Sequence, residues 1–233
     1  MHYPPIRPGV RYLVIRLKTP DPRWLRLILL ILACVSSGFW LGHLTTVEDQ
    51  HAATKVPEKH SLYLLEEAAT WVGDTAEFAV RVKSSAAALK VPPSWIMAVI
   101  YAESGFNPAI RNHRGSGATG LIQFMTFTAA ELGYDLEEIS QMNAIEQMKP
   151  VEEYFDQVKH RYGRYQSLTD FYLAVLFPKA RNKGPCYTLY ARPALAYRQN
   201  KGLDENRDGK VTVFDVDRRL LRLFPQAYTD IID

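Results

Sequence analysis

Between Leu27 and Gly42 the chain carries sixteen residues without a single charge, and this run constrains everything around it. N-terminal to it stand Arg7, Arg11, Arg16, Lys18, Arg23 and Arg26 against one acid, Asp21. With His43 and Leu44 following, the stretch falls slightly short of the ~20 residues that cross a bilayer comfortably. Trp24 and Trp40 suit the two interfacial belts, and a basic flank stays cytoplasmic, which sends the C-terminal bulk across the membrane. Three readings follow. The segment is a retained signal anchor, since no A-x-A cleavage site follows it. Alternatively Ile31-Leu32-Ala33-Cys34 is a lipobox and the chain is acylated at Cys34. The third, a buried helix of a cytosolic protein, fits poorly with so basic a leader.

The same asymmetry changes the meaning of the net charge. The chain carries +3, but the tail alone carries +5, so the remainder stands at −2. The folded part therefore offers no electrostatic footprint for nucleic acid. The two cysteines are Cys34 and Cys186. One lies in the membrane segment, so a disulfide between them is not expected, and Cys186 reads as a free thiol. His43, His51, His60, His113 and His160 show no metal-ligand spacing.

Residues 45–60 are polar and aperiodic, a tether. Beyond them the periodicity is helical almost throughout. Leu62, Leu65, Ala69 and Val72 share one face of a helix expected from Ser61 to Val72. Asp74 with Glu77 three residues on predicts a helix start, running to Leu89. Val91-Pro92-Pro93 breaks it and opens the next, through Ser104. Further helices are expected at Thr119 to Leu132, Asn143 to Tyr162 (kinked or split at Pro150), Leu168 to Leu176, Leu189 to Asn200 and Thr212 to Leu223. The expected class is all-α, or α with a token strand pair. Short β-turn segments are allowed between Ile110 and Gly117.

One residue breaks the pattern. Ile96, Val99 and Ile100 form an apolar stripe, and the next position of the i, i+3, i+4, i+7 series is Glu103. A carboxylate on a core-facing stripe, at the helix end that disfavours negative charge, is pushed toward its neutral acid. That is the property a general acid needs. The competing reading is a helix-end glutamate that turns to solvent or pairs with Arg111 or Arg114. After it, Gly105 can stop the helix and Pro108 prevents its renewal. Gly115, Gly117 and Gly120 mark backbone that turns tightly or approaches something closely. Gln123 then offers an amide suited to sugar hydroxyls and acetamides.

Taken together, E-S-G-F-N-P from Glu103, G-A-T-G-L-I-Q-F from Gly117 and T-A-x-x-L-G from Thr128 form a specific pattern. It resembles the soluble-type lytic transglycosylases, relatives of goose-type lysozymes, from about Trp71 to Tyr197. The resemblance implies a lysozyme-like catalytic domain at 61–200, behind the tail (1–26), membrane segment (27–44) and tether (45–60). It makes Glu103 the catalytic acid/base, and gives Ser104, Gly120, Gln123 and Phe124 roles in holding the glutamate and the substrate. Two departures stand out. Thr126 replaces a proline common in the Q-x-x-P-x-T-A run, and Ala174-Val175-Leu176-Phe177-Pro178 replaces A-Y-N-x-G. The latter, with Tyr172 and Leu173 before it, looks like the phage and tail-associated branch. Tyr172 is therefore either a substrate-cleft residue or a core aromatic.

Glycosidases usually need two carboxylates around the scissile bond. None lies between Ser104 and Ala130, and Glu131 and Asp135 are the first acids downstream. A single carboxylate suits a reaction with no enzyme nucleophile and no positioned water. The resemblance implies just that: cleavage of peptidoglycan between N-acetylmuramic acid and N-acetylglucosamine with closure of a 1,6-anhydro ring, and no catalytic cofactor. A hydrolase of the same bond, and a non-catalytic wall-binding module working with partner proteins of an envelope machine, are the competing readings. The implied setting is the bacterial envelope, anchored in the inner membrane with the domain in the periplasm.

The C-terminal segment, 201–233, carries a separate signature. Asp204, Asn206 and Asp208 fall at positions 1, 3 and 5 of a twelve-residue EF-hand loop. Gly209 takes position 6, the Lys210 carbonyl 7, Thr212 9 and Asp215 12. Aspartate in place of glutamate at the last position predicts weaker affinity. A structural Ca²⁺ that pins the last helix is expected here.

Overall fold

A computed structural model of the chain describes residues 62–112 and 116–231. The predicted tail, membrane segment, tether and Cys34 lie outside them. Among the described residues no helix is long and apolar enough to cross a membrane.

Local chemistry explains most element boundaries. The helix expected from Ser61 to Val72 shrinks to α1 (Leu65–Ala68), because Leu64 is left-handed at φ 59°. Asp74 accepts from the amides of Ala76 and Glu77, both at 2.9 Å, and opens α2 (Thr75–Leu89). These bonds satisfy two of the otherwise unpaired amides of a first turn. Pro93 occupies the first turn of α3 (Pro93–Ser104), where its missing N–H costs nothing, and left-handed Gly105 ends it. Beyond α4 (Thr126–Glu131), Asp135 caps α5 (Leu136–Gln141) through the Glu137 amide at 2.8 Å. Asn143 and Glu146 form a reciprocal capping box on α6 (Ala144–Tyr162), which runs unsplit through Pro150. Ser167 caps α7 (Leu168–Leu176).

Two expected helices give way to other structure. Only Thr126–Glu131 is helical in the stretch expected from Thr119 to Leu132. Before it, Thr119 and Phe124 exchange backbone bonds of 3.0 and 2.8 Å across a tight turn. Gly117, Gly120 and Gln123 all have positive φ there, which no helix tolerates. Likewise Thr188–Ala191 is a strand, β1, and only Leu195–Asn200 forms a helix, α8. β1 pairs antiparallel with β2 (Lys210–Thr212), Tyr190 facing Val211. α9 (Val213–Leu223) and α10 (Pro225–Thr229) close the chain.

The core is built around α3. Ile96 through Ile100 are all fully buried, and Trp95 is 2% exposed. Each of the Ile, Met and Val side chains among them contributes roughly 1.5–3 kcal/mol. α2 packs along α6 and across α3, and α3 also touches α7 and α10. Phe155 of α6 and Phe171 of α7 stack at 4.1 Å between centroids. The cluster continues past residue 200, since Leu203, Val211, Val216, Leu220, Phe224 and Ala227 belong to it. Trp95 Nε1 donates to the Ala227 carbonyl at 2.9 Å, which ties the last helix to the start of the central one.

Candidate active site

Glu103 sits in the last turn of α3, at the point where the helix emerges from the core. Its predecessors on the stripe, Ile96, Val99 and Ile100, are completely buried. Glu103 itself is half-buried. Of the two arginines named as its alternative partners, Arg111 pairs with Glu137 at 3.6 Å, and Arg114 lies outside the described residues. Its hydrogen-bond partner is a phenol. Tyr172 of α7 donates to the carboxylate.

Three tyrosines from three elements gather at this carboxylate. Tyr172 is buried, and Tyr154 of α6 and Tyr190 of β1 stand close enough to feel its charge. Burial raises the pKa of all three phenols, and the charge of Glu103 adds to it. They remain protonated donors at any physiological pH. Tyr154 donates to the Ala174 carbonyl at 2.6 Å and Tyr190 to that of Leu176 at 3.2 Å. Only Tyr172 is left to serve Glu103. Loss of solvent pushes the Glu103 pKa up to about 7, and the bond from Tyr172 opposes that rise. The result is an acid that holds or releases its proton near neutrality, as a group that must do both requires.

Of the two acids that follow Glu103 in the chain, both have partners of their own, and Glu131 is also near enough for Tyr154 to feel its charge. Glu131 faces Arg161 at 3.9 Å, and Asp135 caps α5.

The other predicted residues fall into place unevenly. Ser104 donates back within α3 to the Ile100 carbonyl at 3.0 Å, so the hydroxyl that holds Glu103 is that of Tyr172, not its own. Phe124 is 2% exposed with its ring edge on Tyr154, so it supports the tyrosine wall and offers no face to a ligand. Tyr172, open between cleft and core, is both buried and bonded to the glutamate. Gln123 is half-exposed and left-handed. Its Nε2 donates to the carbonyls of Gly120 at 3.1 Å and Ile110 at 3.4 Å, which leaves Oε1 as its outward acceptor.

Gly120 has a structural explanation. A Cβ on it would stand 2.5 Å from Oε1 of Gln147. Gln147, fully buried on α6, accepts from the Leu121 amide at 2.8 Å. It also donates to the carbonyls of Pro108, Ile139 and Met142 at 2.8, 2.9 and 3.1 Å. This one amide clamps the glycine loop to α5 and α6. Its signal was present in the sequence, a polar residue on the stripe Ala144, Met148, Val151, Phe155, but it lacked a motif. Tyr154 and Tyr190 carried no such signal, because only tertiary packing brings them to Glu103.

A cavity of about 1270 Å³ lies at the other end of α3, lined by residues such as Lys90, Pro93, Lys159, Tyr165 and Asp230. Glu103 has no part in it, and the chemistry described here is elsewhere.

A mainly helical domain that presents one desolvated, phenol-bonded glutamate has the equipment of a protein that cleaves glycosidic bonds. Residues 81–175, which span Glu103, the glycine loop and Tyr172, match the family model for the transglycosylase SLT domain, of the lysozyme-like superfamily. That match indicates transglycosylase-type activity, with peptidoglycan as the substrate class. None of the curated proteins matches the chain significantly.

Proposed function

We propose that this protein is a lytic transglycosylase that cleaves the β-1,4 bond between N-acetylmuramic acid and N-acetylglucosamine and leaves a 1,6-anhydro end. The observation that carries the reading is the state of Glu103: desolvated, bonded to Tyr172 and protonatable near pH 7. Neutral Glu103 gives its proton to the glycosidic oxygen as the C1–O bond breaks. The oxocarbenium-like centre is stabilised by the sugar's own acetamide. Ionised Glu103 then takes the proton of the 6-hydroxyl while that oxygen closes on C1, so the enzyme ends in its starting state. An intramolecular nucleophile needs no trapped water, and its proximity supplies much of the rate. Tyr172 holds the carboxylate in place during its ionised interval.

The basic flank and apolar run Leu27 to Leu44 support a setting for this domain on the outer side of the inner membrane, held by a signal anchor or, through Cys34, as a lipoprotein. Gln123, through its free Oε1, is assigned to the sugar's amide or hydroxyl groups.

Mass spectrometry of sacculi digested by the full-length chain tests the reading. Anhydro ends are expected from the wild type and none from Glu103→Gln. Reducing ends would instead make the protein a muramidase. Sedimentation with sacculi and no soluble product at all would make it a wall-binding module.

A further inference from the structure

The segment from Asp204 to Asp215 is held in tight turns by its own side chains. Asp204 Oδ2 accepts from the Gly209 amide at 3.0 Å and from the Tyr197 hydroxyl at 2.6 Å. Asn206 Oδ1 accepts from the Asp208 amide at 3.0 Å, and Asp208 Oδ1 from the Lys210 amide at 2.8 Å. Gly209 takes the positive φ of 90° that the sharp turn demands. Such turns occur without any ion. What separates this loop from them is Asp215.

Asp215 is fully buried. Its Oδ2 accepts from the Thr212 amide at 2.9 Å and hydroxyl at 2.5 Å, which folds the carboxylate back over the loop's own C-terminal half. Its Oδ1 has no donor, and among the described residues it is the one buried side-chain polar atom left so. A buried carboxylate oxygen without a partner is expensive, and such groups are almost always satisfied by a donor, water or an ion. The other oxygen-bearing positions of the same loop are Asp204, Asn206, Asp208 and the Lys210 carbonyl. Among the described residues no three Asp, Glu, His or Cys side chains already converge on one point. Asp204 and Asp208 are turned toward loop amides, and side-chain rotation over a backbone already wound would bring them inward. Several oxygen ligands on an irregular loop suit Ca²⁺, which accepts six to eight, better than Mg²⁺ with its strict octahedron.

The loop is also wired to the catalytic end. Its Lys210–Thr212 stretch is β2, whose Val211 faces Tyr190 of β1, and Tyr190 stands close enough to Glu103 to feel its charge. It ends in α9, where Asp217 accepts from Thr169 of α7 at 2.6 Å, one turn before Tyr172. We propose that Asp204–Asp215 binds one Ca²⁺ and that this ion fixes the hairpin that carries Tyr190 near Glu103. The second half rests on the reading of Glu103 given above; the first half does not.

The test uses the full-length chain in detergent with millimolar CaCl₂, MgCl₂ or EDTA. Calcium is expected to raise the melting temperature by at least about 2 °C over EDTA, with magnesium well below it. Hydrogen exchange is expected to slow in residues 204–215 and also in 188–191. Asp208→Asn keeps the acceptor for the Lys210 amide but removes a charge, so it should fold normally in EDTA and lose both responses. Glu103→Gln should respond to calcium as the wild type does, so an error in the catalytic reading leaves the site untouched. Identical melting and exchange in calcium and EDTA would overturn the site. An equal magnesium response would overturn its assignment to calcium. Protection confined to 204–215 would overturn the link to Tyr190.

Discussion

In the proposed reaction, the pKa of Glu103 ties turnover to stability through one proton. Raised from 4.5 to about 7 by loss of solvent, the folded state keeps that proton through a range where the unfolded chain has released it. Stability attributable to this group is therefore greatest at low pH and falls between pH 4.5 and about 7, by at most about 3 kcal/mol. Glu103→Gln cannot ionise and avoids that loss. It should melt with the wild type near pH 4 and above it at pH 8, while turnover disappears. Parallel melting curves at both pH values would mean that the carboxylate is not desolvated. Activity should decline on the alkaline side near pH 7 as the acid form is lost. Tyr172→Phe removes the bond that favours the ionised form, so its alkaline limb should move to higher pH, with reduced turnover because the carboxylate is less firmly held. A limb shifted to lower pH, measured on soluble glycan fragments, would contradict the hydrogen bond assigned to Tyr172.

The glycine loop is an element without regular structure, held by a single side chain. Gln147→Ala should leave the Leu121 amide and three carbonyls without their buried partner, and cost about 3 kcal/mol by chemical denaturation. Gly120→Ala should be harmful for two reasons that act together, a φ of 82° and the 2.5 Å approach to Gln147. Loss below about 0.5 kcal/mol in either variant would show that the clamp is not needed. The same loop marks where sequence reasoning stops. Helices with a local start signal, at Asp74, Pro93, Asn143 and Ser167, were legible to within a residue, because capping is chemistry between neighbours. Thr119 to Phe124 read as helix because Leu121, Ile122 and Phe124 are apolar, whereas Gln147, more than twenty residues away, decides their path. Leu189 to Ala191 read as helix for the same reason, and β2 overrides it. Glu103 was legible because its own helix exposes the anomaly. Tyr154 and Tyr190 were not, since only the tertiary packing of α6 and β1 brings them near it.

At the scale of the molecule, the unit that folds is larger than the segment that matches the family. The match ends at residue 175, yet the C-terminal residues supply one wall of the core around α3. Leu203, Val211, Val216, Leu220, Phe224 and Ala227 are buried there, and together they are worth on the order of 10 kcal/mol. That is comparable with the whole stability of a domain of this size. Their removal would also strip the partner from Trp95 Nε1 at the start of α3, the helix that carries Glu103. A chain ending at Asn200 should therefore fail to unfold cooperatively by circular dichroism and be cut rapidly by protease, although it retains every residue of the matched segment. Trp95→Phe separates the two contributions. It keeps most of the buried ring and gives up only the bond to Ala227, so it should fold, lose about 1 kcal/mol and keep most of its activity. If the truncated chain melted like the full-length one, residues 201–231 would be an appendage, and the tyrosine wall would have to stand without the hairpin's second strand.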